Sequence, residues 1–478
     1  MSEIRFHNTL SGKTEPFVSL VPGEVRAYTC GPTVYDFAHI GNFRTFVFQD
    51  ILRRYLKSRG YRLQQVMNLT DVDDRIIQKA AAAGVTIREY TDKYIQAFLD
   101  DRAALNLEPQ EHLARATDHI DDMVALIQRL TSKGCTYTSE GSTYFRISSF
   151  PSYGKLSRID VAGMQTGVRM DLDRYDKDNV RDFALWKAPK EGEHFWETPI
   201  GPGRPGWHIE CAAMAMKFLG ETMDIHSGGV DLTFPHHENE IAEAEAATGN
   251  PFARYWMHAE HLLIGAEVMS KSKGNFSTLR ELLAQGHKPS SVRYLLASVP
   301  YRRQLNFTME SLQGAASSVE RLRTFVARLQ TGKFPAGASP AMVERVGKAR
   351  EAFDQGLADD LNTAQALAAA FDLVRDVNIA MDRGEFLQGD AAPVLAALDS
   401  FDLIFAVLHD DDAAKLLALG MGQEAGPTDA EIDALVAERQ AARKRRDFAA
   451  SDRIRDQLAA RGIILEDSRD SGVRWKRK

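Results

Sequence analysis

Val25-Arg-Ala-Tyr-Thr-Cys30-Gly-Pro-Thr-Val-Tyr-Asp-Phe-Ala-His39-Ile-Gly-Asn42 runs from an apolar segment through a Gly-Pro turn toward a helical pattern. The periodicity predicts a short strand over residues 25–29, an amphipathic helix over 45–59 and a second strand over 63–69. Strand, helix, strand in that order is the signature of a parallel sheet with crossover helices, and so of a nucleotide-binding α/β domain. The turn between them falls at the carboxyl edge, where a doubly wound sheet binds its ligands. There His39 and Asn42 can donate to phosphate oxygens, Gly41 lets a purine approach the backbone, and the helix N-terminus adds a favourable dipole. An ATP site is the reading that uses all three, although the short pattern alone also fits a capped turn with a surface histidine.

At 478 residues the chain exceeds one ordinary domain, which holds about 100 to 200. Residues 118–134 predict a helix and 142–147 a β-like piece among Gly, Ser and Asp, the texture of an insertion. The alternating pattern resumes over 206–264, followed by a polar stretch at 265–276. Leu312, Ala316, Val319, Leu322, Val326 and Leu329 recur at helical spacing, and 341–355, 363–381 and 391–408 predict further helices of a bundle. Residues 410–427 read as a linker.

The net charge of -7 excludes a chain that is basic throughout. A local basic patch does exist near the end, with Arg443, Lys444, Arg445, Arg446, Arg453, Arg455, Arg474, Lys476, Arg477 and Lys478, enough to engage phosphates. No apolar run reaches the ~18 residues of a membrane span, and the opening MSEIRFHNTLSG does not read as a leader, so a cytoplasmic enzyme is expected. The cysteines, Cys30, Cys135 and Cys211, are too few for a disulfide framework and would act as thiols or metal ligands.

Met269-Ser-Lys271-Ser272-Lys273-Gly-Asn275 is a lysine-bearing loop suited to a mobile clamp, since attack on an α-phosphorus builds negative charge that Lys271 could meet; a solvated surface loop reads the same way. Cys30 and Cys211 with His236 and Glu240, the last two at i,i+4, offer thiolate, imidazole and carboxylate to zinc. Without a C-x-x-C pair, the same residues also fit two buried cysteines and a polar helix start. Gly201-Pro-Gly-Arg-Pro-Gly206 matches a phosphate-loop pattern formally, but Pro202 and Pro205 remove the backbone donors, which leaves a substrate-side turn. Thr70-Asp-Val-Asp-Asp74 follows a strand and could bind Mg²⁺ or a substrate amino group, or cap a helix.

Together these blocks resemble the cysteinyl-tRNA synthetase family of class I aminoacyl-tRNA synthetases. Cys30-Gly-Pro-Thr-Val-Tyr is similar to the family's opening motif, His39-Ile-Gly-Asn42 to its first signature, and Met269-Ser-Lys-Ser272 to its second. Asn68-Leu-Thr-Asp-Val-Asp-Asp74, Gly203-Arg-Pro-Gly-Trp-His-Ile-Glu-Cys211 and Phe234-Pro-His-His-Glu-Asn-Glu240 are similar to further blocks in the same order. Val268 and Lys273 depart from the family's usual lysine and leucine, while Lys271 is kept.

The resemblance implies a Rossmann-like parallel sheet domain with an insertion, then a helical bundle and a small basic C-terminal unit. The boundaries are 1–110 and 191–264 for the catalytic halves, 111–190 for the insertion, 265–310 for the signature loop and stem-contact region, 311–408 for the bundle, 409–427 for the linker and 428–478 for the anticodon-binding unit. It implies one Zn²⁺ on Cys30, Cys211, His236 and Glu240, ATP with Mg²⁺ at His39, Gly41, Asn42, Met269, Ser270, Lys271 and Ser272, and an amino-acid pocket with Thr70, Trp207 and Asp231. Of these, His39, Asn42 and Lys271 would be catalytic. The partners would be L-cysteine and tRNA(Cys), with the chain a monomer away from membranes.

Zinc makes physical sense of such selectivity. Shape distinguishes cysteine from serine by only about 1 to 3 kcal/mol, whereas a thiol binds zinc as thiolate and a hydroxyl stays protonated. This predicts an open metal site that admits the substrate thiolate, and no editing domain. Two rivals remain: the cysteine ligase of mycothiol synthesis, which lacks an anticodon-binding end, and a non-catalytic RNA-binding relative, which would not keep both signatures and four ligands.

Overall fold

The structure, a computed structural model, describes residues 2–159, 182–265, 267–268, 277–421, 429–445, 447–460, 463–468 and 472–477. An antiparallel ribbon, β1 (Arg5–Asn8) with β2 (Lys13–Pro16), precedes the first crossover of β3 (Glu24–Thr29), α1 (Ile40–Ser58) and β4 (Arg62–Leu69). Two amphipathic helices, α2 (Asp74–Ala83) and α3 (Ile87–Ala104), lead to β5 (His112–Arg115) and then α4 (Ile120–Ser132). An antiparallel sheet follows, made of β6 (Thr136–Ser139), β7 (Ser142–Phe145), β8 (Phe183–Lys187) and β9 (Arg204–Pro205). The second half of the core is α5 (Trp207–Leu219), β10 (Met223–Gly229), α6 (Glu238–Thr248) and β11 (Ala253–Ala259).

The five core strands pair in the order β11-β10-β3-β4-β5, all parallel. Sequence order thus reverses on either side of β3, which makes the β3/β10 boundary the topological switch point. Helix packing buries both faces of the middle strands, so β3, β4 and β10 carry buried Val25, Ala27, Tyr28, Val66, Met67, Met223 and Ile225. Two expectations shift. The first helix opens at Ile40, ahead of residue 45, because polar capping rather than apolar periodicity starts it. β5 belongs to the core sheet although its residues fall in the range assigned to the insertion.

Beyond the core, β12 (Leu262–Ile264) pairs with β13 (Glu267–Val268) and with β14 (Leu305–Phe307), and α7 (Leu279–Ala284) and α8 (Pro289–Ser298) lie between. Four long helices follow: α9 (Met309–Thr331), α10 (Pro340–Ala358), α11 (Thr363–Asp382) and α12 (Ala391–Phe405). The buried stripe of α9 is Leu312, Ala315, Val319, Leu322, Phe325 and Leu329, which turns Ala316 and Val326 to half-buried positions. The larger Phe325 takes the core place that spacing had given to Val326.

Arg293 on α8 ties these parts together. It is fully buried, donates through Nη1 to the Leu105 and Asn106 carbonyls after α3, and through Nη2 to Asp50 Oδ2 on α1 at 2.6 Å. Its Nε and Nη2 also reach the Phe405 and Ile404 carbonyls at the end of α12. One guanidinium so satisfies carbonyls that two helix ends leave without partners.

Two compact units divide at Asp410 and Asp411. The second contains α13 (Asp412–Ala418), α14 (Asp429–Lys444), α15 (Phe448–Ala460) and an antiparallel pair, β15 (Ile463–Ser468) with β16 (Gly472–Arg477). Its small core is Ile432, Val436, Ile454, Leu458 and Ile463. Helix α13 lies where a linker was expected, started by Asp411 and held by a Lys415–Asp411 ion pair.

Replacing Arg293 with Met would leave Asp50 with Arg54 Nε and the Glu108 amide but take the donor from the Leu105, Ile404 and Phe405 carbonyls. We expect stability to fall by at least about 1 to 3 kcal/mol, the cost of one buried carbonyl left unpaired, read as a lower urea midpoint at unchanged slope.

Candidate functional site

The switch point is set by a backbone bond. Cys30 N–H, just past β3, donates to the Ser227 carbonyl of β10 at 3.0 Å, after which the chain turns toward β4. There Thr70 N–H donates to the Pro32 carbonyl (3.1 Å) and Val34 N–H to the Thr70 carbonyl (3.0 Å). Gly31 N–H donates to Asn68 Oδ1 at 2.8 Å, and a Cβ added there would lie 1.9 Å from the Asn68 carbonyl oxygen. Only glycine allows so close an approach. Asn68 Nδ2 in turn donates to Thr70 Oγ1, which fixes the buried Thr70 hydroxyl at the mouth of the crevice.

His39 is the N-cap of α1 in extended geometry, and its Nδ1 accepts the Asn42 N–H at 3.2 Å while Asn42 Oδ1 accepts the His39 N–H at 3.1 Å. This reciprocal capping box satisfies two end donors. With Nδ1 accepting, a neutral His39 carries its proton on Nε2, as a donor at the helix N-terminus. Gly41 stands in the first turn. Ile40 N–H donates to the Ser277 carbonyl at 2.9 Å and His39 bridges Thr278, so the chain leaving the lysine loop is pinned to this turn. Thr278 then caps α7 through its own box with Glu281. Met269, Ser270, Lys271, Ser272 and Lys273 lie outside the described residues.

Behind the crevice four buried side chains converge. Ligand atoms of Cys30, Cys211, His236 and Glu240 all lie within 4.8 Å of one another. Cys30 comes from the end of β3, Cys211 from α5, His236 from the turn before α6, and Glu240 from the first turn of α6. His236 Nε2 meets Glu240 Oε1 at 3.0 Å. A second overlapping set, Cys30, His226, His237 and Glu240, shares two of these residues, so one ion can use only one set.

Both sets have outer partners, and in the second Cys30 Sγ lies 3.3 Å from His237 Nε2. His226 Nε2 donates to Glu240 Oε2 (2.8 Å), His237 Nδ1 faces His258 Nε2 (2.8 Å), and His208 Nδ1 faces His236 Nδ1 (2.8 Å). His226 and His208 thus orient the Glu240 carboxylate and the His236 ring of the first set, and His258 orients the His237 ring of the second, the usual support of a metal ligand. Trp207 stacks on His236 at 4.3 Å, and Trp256 on His226 at 4.4 Å.

Burial raises the pKa of Cys30, opposed by its hydrogen bond with Cys211 and assisted by Glu240 and Asp231. Burial lifts Cys211 well above the ordinary thiol range, with Cys30 and Glu240 adding to it. Glu240 is pushed up by burial but held down to about 2 by His226 and His236. His236 would be lowered by burial, yet Glu240 and Cys211 hold it well above the ordinary imidazole value. Without a cation the set is therefore an imidazolium–carboxylate pair beside two protonated thiols. A divalent cation would replace those protons, which is the donor chemistry zinc requires.

The remaining sequence candidates divide. Trp207 lies at this cluster, and Thr70 closes the crevice. Asp231 is exposed on the turn Val230–Leu232, close enough to raise the Cys30 pKa. The carboxylates of Asp71 and Asp73 in the 70–74 segment have protein partners. Asp71 accepts from Arg115 Nε (2.9 Å) and from the Thr117 amide and hydroxyl, and Asp73 caps α2 by accepting from Ile76 N–H. Gly206 is the N-cap of α5, so the 201–206 turn aims Trp207 and Cys211 rather than a phosphate. The sequence did not single out His226, His237 or His258; His226 and His258 face inward from β10 and β11 with no local signature, and His237 precedes α6 beside His236.

Comparison with known proteins places this architecture. Residues 16–317 match the model of tRNA synthetases class I (C) catalytic domain, 352–408 the DALR domain, and 426–475 the cysteinyl-tRNA ligase anticodon binding domain. The cysteine–tRNA ligase of Solibacter usitatus is 56% identical over 475 residues, 99% of this chain and 100% of that one. That of Leptospira interrogans serogroup Icterohaemorrhagiae serovar Lai is 46% identical over 100% of both. Mycobacterium tuberculosis methionyl-tRNA synthetase in complex with methionyl-adenylate shares the fold at TM-score 0.59 and 16% identity, covering 83% of this chain and 91% of its own.

Gly31→Ala tests the arm that carries Cys30. Its overlap with the Asn68 carbonyl should destabilise the protein by about 1 to 3 kcal/mol, whereas Gly314→Ala on α9, where an added Cβ meets nothing within 4 Å, should stabilise by ~0.5 to 1 kcal/mol. Thermal unfolding of both variants measures the contrast.

Proposed function

This chain belongs to the cysteine–tRNA ligase family of class I synthetases, and from that premise we propose that it activates L-cysteine with ATP and transfers it to tRNA(Cys). The observation that carries the proposal is the convergence of Cys30, Cys211, His236 and Glu240 behind the turn that ends in the His39–Asn42 box.

In the first step an oxygen of the cysteine carboxylate attacks the α-phosphorus. The bond to the bridging oxygen breaks, and pyrophosphate leaves with its electron pair. In the second a hydroxyl of the terminal ribose attacks the acyl carbon, AMP leaves with the former carbon–oxygen pair, and the hydroxyl proton passes to the phosphate side or solvent. Charge grows on phosphoryl oxygens in the first step, so preorganised donors are what it needs. His39, Asn42 and the N-terminus of α1 are assigned to these oxygens, Lys271 to the leaving pyrophosphate, with Mg²⁺ carried by ATP, and Gly41, Met269, Ser270 and Ser272 to the nucleotide.

Zinc held by Cys30, Cys211, His236 and Glu240 would supply a Lewis acid that favours a thiolate over a hydroxyl. Trp207 walls the pocket at His236, Thr70 closes it at β4, and Asp231 offers an anion near Cys30 for the substrate ammonium. Helices α9–α12 and the basic unit over 428–478 are assigned to the tRNA, in the cytoplasm, with one chain per enzyme. The match at 426–475 supports tRNA as acceptor over the amino sugar of mycothiol synthesis. None of the described helices is long and apolar enough to cross a membrane.

Purified protein should contain one zinc per chain, exchange pyrophosphate into ATP only with cysteine, and charge total tRNA with cysteine. Exchange without charging would sink the transfer step and leave activation standing. Cys211→Ser should lower zinc content and exchange together by at least about tenfold. His226→Gln, which removes both the ring donor to Glu240 and the ring stacked on Trp256, should weaken metal affinity by about 10- to 100-fold, read by competition with a chelator.

A further inference from the structure

Beside the His39 turn stands a cluster of rings and cations that activation does not use. The Arg75 guanidinium lies 4.2 Å from the centroid of Tyr35 and Lys79 Nζ lies 5.1 Å from it. Phe37 meets Tyr94 edge-on at 5.3 Å, with Lys93 Nζ at 5.8 Å and the Arg280 guanidinium at 5.6 Å from its ring; Tyr90 adjoins Tyr94 at 5.3 Å. The platform is rigid. Val34 is bonded to Thr70, and the Tyr35 carbonyl accepts from Tyr90 Oη at 3.0 Å and from Lys79 Nζ at 3.5 Å. Arg75, Lys79 and Lys93 are exposed, and Tyr35, Phe37, Tyr90 and Tyr94 are half-buried.

We infer that this rim is the stacking surface for the single-stranded 3′ end of the RNA acceptor; the inference rests on the reading that the acceptor is a tRNA. Three observations carry it. First, Tyr35 and Phe37 stand four and two residues before His39, so what lies on them adjoins the place where the terminal hydroxyl must meet the acyl carbon. Second, the local charge is balanced: Asp73 pairs with Arg75 (2.8 Å), Asp36 with Lys79 (3.8 Å), and Asp100 and Asp101 with Arg280. Among the described residues Lys93 alone of these cations has no carboxylate within ion-pair distance. A duplex would call for a broad basic surface, whereas unstacked bases call for aromatic and guanidinium plates with a few cations between them. Third, Arg75 lies over the Tyr35 ring and is exposed beside its Asp73 partner, so its guanidinium offers a plate to a base and a charge that a phosphate could share with Asp73.

The test uses the full-length holoenzyme and two RNAs, tRNA(Cys) and the same tRNA lacking its last three nucleotides. Arg75→Gln with Lys93→Gln, both at exposed positions, should weaken binding of intact tRNA by about tenfold, the usual scale of one lost stack, and leave the truncated tRNA bound as by wild type. Single-turnover transfer from preformed adenylate should fall by about the same factor, more than pyrophosphate exchange does. Lys93→Gln alone should give a smaller loss with the same selectivity. Equal loss for both RNAs would place the rim on another part of the tRNA and overturn the inference. A raised KM for ATP without a transfer defect would assign it to the nucleotide and overturn it too. If wild type exchanges pyrophosphate but charges no tRNA, the underlying reading fails, which is visible before any variant is made.

Discussion

The site depends on the parting of two parallel strands. At Cys30 and Ser227 the chain still pairs β3 with β10, and beyond that bond one connection runs through α1 to β4 and the other through α6 to β11. The two connections leave in opposite directions along the sheet, the strand order that opens a crevice at the carboxyl edge. Everything with chemistry borders it. Cys30 closes β3, the His39 box starts α1, Thr70 closes β4, and His236 and Glu240 start α6. The reversal also explains why ligands from distant parts of the sequence meet: each belongs to an element that begins or ends at the same edge.

Helix ends at this edge have a double use. Four leading N–H groups of any helix lack intrahelical partners, and here capping side chains and the Ser277 carbonyl take several of them. His39 and Asn42 share a capping box, which places the proton of a neutral His39 on Nε2. Asp73 and Thr278 cap in the same way on α2 and α7. The Thr278 cap sits against His39, so the end of the lysine loop and the start of α1 are one hydrogen-bonded structure. Buried arginines do the corresponding work at the other ends: Arg293 takes the carbonyls after α3 and α12, and Arg44 those at Leu296 and Pro300. Through Asp50 and Arg44, α1 is held to the helical region that follows the core, which fixes the direction in which His39 points.

Inside the cluster, burial and pairing oppose each other. Isolated buried charges would cost several kcal/mol each. Glu240 escapes that cost by sharing two histidines, and the thiols escape it by keeping their protons. The protonated thiols and the paired carboxylate keep the set close to neutral, and each offers a ligand atom to a cation that would replace a proton. The surrounding histidines are held neutral or paired for the same reason: burial lowers His237 well below its usual value and His258 to about 3.

Much of the fold was legible in the sequence because its cause is local. Apolar periodicity located β3, β4 and the long helices, and residue chemistry located the turn at Cys30. Where local rules compete, the reading slipped: the polar box advanced the start of α1, Phe325 displaced Val326 from the α9 stripe, and a helix formed at Asp412–Ala418 in a segment rich in linker-like residues. The Asp71 and Asp73 carboxylates show the same limit, since a cap, an ion pair and a metal ligand demand the same side chain. The sequence by itself determined which donors and acceptors the protein owns and which helix ends they can cap. Only the tertiary structure decided that Cys30 meets Glu240 and that His226, His237 and His258 surround them. Those contacts span the chain, and they exist because strand order brings separate elements to one edge and burial forces each polar atom there to find a partner.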